Sequence, residues 1–226
     1  MEPATPFVIG SQGVTILSDP APWRERFDRV QAMSIPSAFE PGFFAKMVER
    51  AARARFVSDG DIEQIGTRLV EAPQLIGKAI SLLLHSPDLL HWLEEATGIG
   101  PLRAVAGRFA EMRASTGDAL DWHDDLHDTT RRLAIIVNLS DRPFAGGQFQ
   151  LRRKGESELL LRHDHPQAGS VLIVAVRPEL EHRVTPVSQG GPRRIYAGWF
   201  LTQPEHPSGA LGARGVITSR QAWRLP

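Results

Sequence analysis

The sequence predicts an α+β fold of mainly β character, with helices packed on one face of a β core in a single domain. Three observations lead to this prediction. Apolar residues recur at helical spacing in the first hundred residues, whereas short apolar runs alternate with turn residues from residue 101 onward. The 226 residues also include 20 glycines and 17 prolines, a surplus that favours the many turns of a β architecture.

Three helices are predicted in the N-terminal region, about residues 1–100. The first begins at Pro41 and carries apolar side chains at intervals of three and four. The second covers residues 72–85 with a similar apolar stripe. The third follows Ser86 as its N-cap, with Pro87 at its first position, and ends at Gly98.

The core region, about residues 101–204, is predicted to consist of short strands in an antiparallel sandwich or barrel. Glycine and proline separate its apolar runs, as expected for turns between strands. A tail at residues 205–226 is expected to be irregular. The predicted strands are Ala104–Met112, Leu133–Leu139, Gln148–Leu151, Glu158–Leu161, Val171–Val176 and Ile195–Leu201.

Composition excludes several classes of function. The chain has no cysteine, so disulfides, iron–sulfur clusters and thiol nucleophiles are excluded, and any transition metal must be held by His, Asp or Glu. The 26 basic residues equal the 26 acidic ones, which argues against a nucleic-acid partner. The longest apolar stretch, Val171–Val176, is too short to cross a bilayer, and the first residues do not resemble a signal peptide. We therefore expect a cytoplasmic protein without a membrane partner.

One metal-ligand pattern stands out among the eight histidines. His123 and Asp125 are separated by one residue, and on an extended backbone such residues project to the same side. His182 follows a buried-strand pattern and supplies a candidate third ligand. Two histidines and one carboxylate on one face of an iron leave three coordination positions open for a co-substrate and dioxygen.

The region around these residues carries five motifs in a specific order. They are His123-x-Asp125, the strand-like run 132–140, Gly146-Gly147 before a strand, His182-x-Val184-x-Pro186-Val187, and Arg193 six residues before Trp199. This order resembles the iron(II)- and 2-oxoglutarate-dependent oxygenases of the prolyl 4-hydroxylase type. The resemblance covers about residues 102–201 and implies a double-stranded β-helix (jelly-roll) core with an N-terminal helical layer packed on one face.

The resemblance also implies roles for individual residues. His123, Asp125 and His182 would form the catalytic centre and hold Fe(II). Arg193 would bind the distal carboxylate of 2-oxoglutarate, because a planar guanidinium can meet a carboxylate with two parallel hydrogen bonds. The implied reaction hydroxylates a C–H bond of a peptidyl or free amino-acid-like substrate and releases succinate and CO2. Dioxygen would be the second substrate, and ascorbate is a candidate reductant.

Two positions depart from the family pattern. Asn138 stands where a tyrosine often helps to bind the distal carboxylate, and its amide could donate that hydrogen bond instead. Phe109 also replaces a common tyrosine. The interval from His182 to Arg193 is one residue longer than expected, so Arg194 remains an alternative to Arg193.

Other interpretations of the same residues remain open. His123 and His127 are four residues apart, as in a zinc hydrolase, but that pattern requires a helix. A non-catalytic jelly-roll module that binds a small molecule is the second alternative. His163 and His165 are expected in an exposed loop, and Trp199 is expected to pack in the core.

Overall fold

A computed structural model describes residues 5–61, 66–165 and 167–204. The predicted tail at 205–226 lies outside these ranges. The helices are α1 (Ala21–Val30), α2 (Pro41–Ala52), α3 (Leu75–Leu84) and α4 (Pro87–Thr97). The strands are β1 (Phe7–Gly10), β2 (Gly13–Ile16), β3 (Ala32–Ile35), β4 (Phe56–Asp61), β5 (Thr67–Glu71), β6 (Ala104–Met112), β7 (Leu120–His123), β8 (Arg131–Asn138), β9 (Phe144–Gly146), β10 (Phe149–Arg153), β11 (Leu159–His163), β12 (Val171–Ala175), β13 (Leu180–Val184), β14 (Val187–Gly190) and β15 (Arg193–Leu201).

Two larger antiparallel sheets form the core. Seven strands lie in the order β3-β12-β8-β15-β6-β5-β4, and four lie in the order β11-β10-β13-β7. Pairs of strands that are neighbours in space are often distant in sequence, as in a jelly roll. The predicted mainly β, jelly-roll fold class is confirmed.

The apolar runs of the sequence occupy the centre of the larger sheet. Every residue of β12 is buried, as are all residues of β8 except Arg132. Strands covered on both faces are expected to have such continuous apolar sequences rather than an alternating pattern. Strand β15 lies between β8 and β6 and pairs with both along its length.

The described part of the N-terminal region contains five strands and helix α1 in addition to the three predicted helices. Strand β3 extends the larger sheet beside β12, and β5 extends it beside β6. Helix α3 approaches β6 closely at Gly77, where a Cβ atom would lie 2.9 Å from the backbone nitrogen of Phe109. The N-terminal segments therefore both widen the sheet and cover part of it. Among the described helices, none is long and apolar enough to cross a membrane.

Candidate metal centre and co-substrate pocket

The three side chains predicted as metal ligands meet beside strands β7 and β13 of the smaller sheet. His123 ends β7, His182 lies in β13, and the two residues are directly opposite in the antiparallel pairing. Asp125 follows two residues after the end of β7. The ligand atoms of the three residues all lie within 4.8 Å of one another, which is close enough for one metal ion to contact all three. Two imidazoles and one carboxylate are a donor set that suits iron(II).

The two histidines are prepared for coordination through Nε2. The Nδ1–H of His123 donates to the backbone carbonyl of Asp121 at 2.7 Å, because a carbonyl can only accept. This bond fixes the tautomer that leaves the Nε2 lone pair available. The ring of His182 stacks on Phe149 with centroids 5.1 Å apart. Burial lowers the pKa of His182 to about 4, although Asp125 opposes this shift, so the ring is neutral at neutral pH.

Asp125 is held by two side chains that are distant in sequence. The Nε1–H of Trp199 donates to Oδ2 at 2.9 Å, and Arg131 approaches Oδ1 at 3.5 Å. The Arg131 guanidinium also stacks on the Trp199 ring, 3.7 Å from its centroid. Burial acts to raise the pKa of Asp125, but His182, His123, the Trp199 hydrogen bond and Arg131 together lower it. The carboxylate is therefore ionised, as a metal ligand must be.

The backbone at Asp125 explains how its side chain reaches the histidines. Its φ of 62° lies in the left-handed region, which non-glycine residues rarely adopt. Sequence reasoning expected an extended backbone at this residue, but the chain has already left β7 there. Trp199 was expected to pack in the core; it does pack against the core while partly buried, and its indole N–H also donates to Asp125. The signal that could have identified it is the fixed six-residue interval from Arg193.

Arg193 lines the same cavity as the three predicted ligands. It is the first residue of β15 and is completely buried. Its Nη1–H donates to the sulfur of Met112 at 3.2 Å, whereas Nε and Nη2 have no hydrogen-bond partner among the described residues. Burial lowers the pKa of Arg193 to about 10, so the guanidinium still carries its charge at neutral pH.

A buried guanidinium with two unsatisfied N–H groups calls for an anion, because an unpaired charge away from water is costly. Nε and Nη2 are adjacent donors on one edge of the guanidinium plane, the edge that binds a carboxylate with two parallel hydrogen bonds. The residues present therefore fit a carboxylate-bearing co-substrate that also reaches the metal site. Gly147 leaves the space for this side chain, since a Cβ atom there would lie 2.6 Å from Cδ of Arg193.

Arg194, the alternative to Arg193, lies elsewhere. Its guanidinium bonds to Glu111 at 2.8 Å and to Asp141 at 2.9 Å. These two carboxylates neutralise it, and it does not line the cavity of the metal ligands. The alternation of side chains along β15 thus separates the two arginines.

Asn138 was expected to help Arg193, but its amide has other partners. Its Nδ2 donates to the backbone carbonyls of His165 and Gln167, and its Oδ1 accepts from the backbone N–H of Ser140. Both amide protons are used, so this arrangement leaves no donor for a carboxylate. Asn138 instead holds the loop after β11 against β8.

Three further expectations can be compared with the structure. His127 lies in a turn rather than a helix, so the two-histidine pattern of a zinc hydrolase is not formed. Phe109 is buried against Phe56, with ring centroids 5.3 Å apart. The expectation that His163 and His165 are exposed is wrong, since only 7% and 3% of their surfaces are accessible.

Comparison with known proteins agrees with this geometry. Residues 107–201 match the model of the 2OG-Fe(II) oxygenase superfamily. The predicted resemblance to this family is confirmed. The family match supports a dioxygenase, an oxidoreductase class whose members act on a substrate with dioxygen. The prediction of iron(II) and 2-oxoglutarate as cofactors is likewise confirmed.

Solved structures share the fold at low sequence identity. A prolyl-4-hydroxylase of Pseudomonas putida is 17% identical with a TM-score of 0.60, over 82% of this chain and 100% of that one. A Trichoplax adhaerens prolyl hydroxylase, in complex with a hypoxia inducible factor peptide, is 15% identical with a TM-score of 0.58, over 86% and 93%. The epimerase SnoN, in complex with Fe3+, alpha ketoglutarate and nogalamycin RO, is 15% identical with a TM-score of 0.59, over 91% and 93%. Among curated proteins, none matches this sequence.

Proposed function

We propose that this protein is an iron(II)- and 2-oxoglutarate-dependent hydroxylase that acts on a C–H bond of a peptidyl or free amino-acid-like substrate. In this proposal His123, Asp125 and His182 hold the metal. Arg193 binds the distal carboxylate of 2-oxoglutarate. The observation that carries the proposal is one cavity lined by all four residues, in which the arginine is fully buried and lacks an anion among its described neighbours.

Each residue has a task that its surroundings support. His123 directs Nε2 away from the Asp121 carbonyl that its Nδ1 contacts, and burial keeps the His182 ring unprotonated. Asp125 supplies the negative charge and is oriented by Trp199. Arg193 fixes the far end of the co-substrate, so that its keto acid end can reach the metal. When bound, iron and 2-oxoglutarate supply oxidative decarboxylation to succinate and CO2, coupled to oxygen transfer to the substrate.

Asp125 also bears on the type of reaction. A carboxylate at this position would occupy a coordination position of the metal. An alanine or glycine would leave that position open to a halide ion. The buried, ionised state of Asp125 favours a ligand role and therefore hydroxylation over halogenation. The amino-acid-like substrate is inferred from the resemblance to prolyl 4-hydroxylases, and the cytoplasmic location and the single-domain organisation likewise remain predictions.

A turnover screen tests the proposal. The purified protein is incubated with Fe(II), ascorbate, 2-oxoglutarate and air, with proline-containing peptides, other peptides or free amino acids, and succinate is measured. We expect one substrate group to raise succinate formation together with an equal amount of hydroxylated product. Succinate without hydroxylated product for any substrate would contradict the substrate class. Binding of 2-oxoglutarate without succinate would favour the non-catalytic alternative.

A further inference from the structure

Two buried histidines have no part in the function proposed above. His163 is the last residue of β11, and His165 follows two residues later with φ at 49°, in the left-handed region. Their rings contact each other edge to face, with centroids 4.3 Å apart. Histidine is usually only partly buried, so an adjacent buried pair requires an explanation.

The strand register directs His163 toward the cavity that holds the metal ligands. His163 is directly opposite Phe149 in the β10–β11 pairing, so both side chains lie on the same face of the sheet. Phe149 stacks on His182 and lines the cavity together with Arg193. Gly147, against which Arg193 packs, comes two residues before Phe149. His163 thus lies behind Phe149, outside the lining of the cavity itself and next to the end where Arg193 lies.

These side chains leave a cluster of unsatisfied polar atoms. Within the described ranges no hydrogen-bond partner is found for Nε2 of His163, either ring nitrogen of His165, or Nε and Nη2 of Arg193. Nδ1 of His163 lies 3.4 Å from the hydroxyl of Ser34. If that hydroxyl donates, the ring proton resides on Nε2, the nitrogen without a partner.

Arg193 carries the one positive charge of this cluster, because both histidines are neutral at neutral pH. Burial lowers the pKa of His163 to about 4 and that of His165 well below its usual value, and the charge of Arg193 adds to both shifts. Asp164 acts in the opposite direction on His163, but its carboxylate accepts a hydrogen bond from the Gln148 amide at 2.7 Å. A carboxylate between Arg193 and the rings could accept from Nε–H and Nη2–H of Arg193 and from one ring N–H of each histidine.

We propose that His163 and His165 complete the binding site for the distal carboxylate of 2-oxoglutarate, with Nε2–H of His163 donating to an oxygen that Arg193 also holds. The inference rests on the proposed function and assigns to the histidines the hydrogen bond first expected from Asn138. His165 packs edge-on to His163 and offers a second ring N–H to the same carboxylate. This cluster selects keto acids that carry a second carboxylate at the correct distance from the metal.

The test compares two ligands in Zn(II)-loaded protein by isothermal titration calorimetry. 2-Oxoglutarate carries the distal carboxylate, whereas 2-oxobutyrate has the same keto acid end without it. A hydrogen bond to a charged group contributes about 1.5–3 kcal/mol, so His163→Leu should weaken 2-oxoglutarate binding by about 10- to 100-fold. His163→Gln, which keeps a donor near the Nε2 position, should retain most of the affinity. Binding of 2-oxobutyrate should be unchanged in both variants.

The outcomes separate this inference from the proposed function. If wild-type protein fails to bind 2-oxoglutarate, the proposed function and the inference both fail. If wild type binds but folded His163→Leu and His165→Leu bind equally well, only the inference fails. An equal loss for 2-oxobutyrate would also overturn it, because the histidine would then act at the metal or on the fold.

A second measurement does not depend on the folding of a variant. In Zn(II)-loaded wild type, the 15N chemical shift of His163 Nε2 should move on addition of 2-oxoglutarate and stay in place with 2-oxobutyrate. An unmoved resonance at saturating 2-oxoglutarate would contradict the proposal. The exposed His91, whose side chain is 73% accessible, serves as the internal control.

Discussion

Replacing Trp199 with phenylalanine tests how Asp125 is held. The substitution keeps an aromatic ring for Arg131 but removes the N–H that donates to Oδ2 at 2.9 Å. The carboxylate is only 10% accessible, so water does not easily replace the lost donor. Hydrogen bonds to charged groups are worth about 1.5–3 kcal/mol, and contacts that orient metal ligands typically change metal affinity about 10- to 100-fold.

In Trp199→Phe the hydrogen bond to Asp125 is lost from the metal-free protein as well as from the metal-bound protein. Part of its free energy therefore appears as lower folding stability rather than as weaker metal binding. With Arg131 still in contact, we expect the metal affinity of Trp199→Phe to fall by about 10-fold, at the lower end of that range. The assay is a titration with Mn(II), in which electron paramagnetic resonance measures the free ion. Trp122→Phe is the matched control, because the Trp122 ring contacts Arg152 and Arg183, and adjacent residues of a strand such as Trp122 and His123 face opposite sides. A folded Trp199→Phe variant with unchanged Mn(II) affinity would refute the reasoning.

Three further predictions concern the co-substrate end of the cavity. Arg193→Gln should weaken 2-oxoglutarate binding about 100-fold or more, as measured by calorimetry. Arg194→Gln should lower only the melting temperature. The reverse pattern would assign carboxylate binding to Arg194. Gly147→Ala should weaken 2-oxoglutarate binding by displacing Arg193, while Gly155→Ala, at a similar positive φ with open space around it, should lower stability alone. Burial lowers the pKa of His163 from about 6.5 in the unfolded chain to about 4 in the folded protein. Between these pH values the unfolded chain therefore binds more protons than the folded protein does. Urea titrations of metal-free protein should therefore show the free energy of unfolding falling as the pH drops from 6.5 to 4. His163→Gln should remove up to about 3 kcal/mol of this pH dependence. Identical pH dependence in the wild type and the variant would contradict the lowered pKa of His163.

The sequence was most informative where one local property decides the structure. The strands β8 and β12 were recognisable because burial on both faces requires continuous apolar runs. His123 and Asp125 were recognisable as a pair from their spacing, but the extended backbone assumed for Asp125 was wrong, since its φ is 62°. Arg193 was favoured over Arg194 because adjacent residues of a strand face opposite sides and the distance from Trp199 pointed to residue 193, while Arg194 stayed an alternative until the structure placed it on Glu111 and Asp141.

The features that were missed depend on contacts between distant segments. His163 faces inward because β11 pairs with β10 in a register that places it opposite Phe149, and a register irregularity after Leu151 contributes to that pairing. No local pattern near His163 encodes this register. The same holds for Asn138, whose amide partners lie in the loop after β11, about thirty residues further along the chain.

Helix α1 was missed for a different reason. It contains several charged residues and only two buried ones, Trp23 and Phe27, so its apolar stripe is narrow. Its position is set by packing, since the ring of Trp23 contacts Trp92 of α4 at 6.1 Å between centroids. Such a helix depends on tertiary contacts more than on its own sequence pattern.

The central claim is that His123, Asp125, His182 and Arg193 form one iron- and 2-oxoglutarate-dependent centre. The most direct measurement is succinate formation from 2-oxoglutarate by the purified protein with Fe(II) and air, compared with Asp125→Ala under the same conditions. We expect succinate to form with the wild type, to require added Fe(II), and to fall to background in Asp125→Ala together with iron binding. Unchanged iron affinity and succinate formation in that variant would contradict the account.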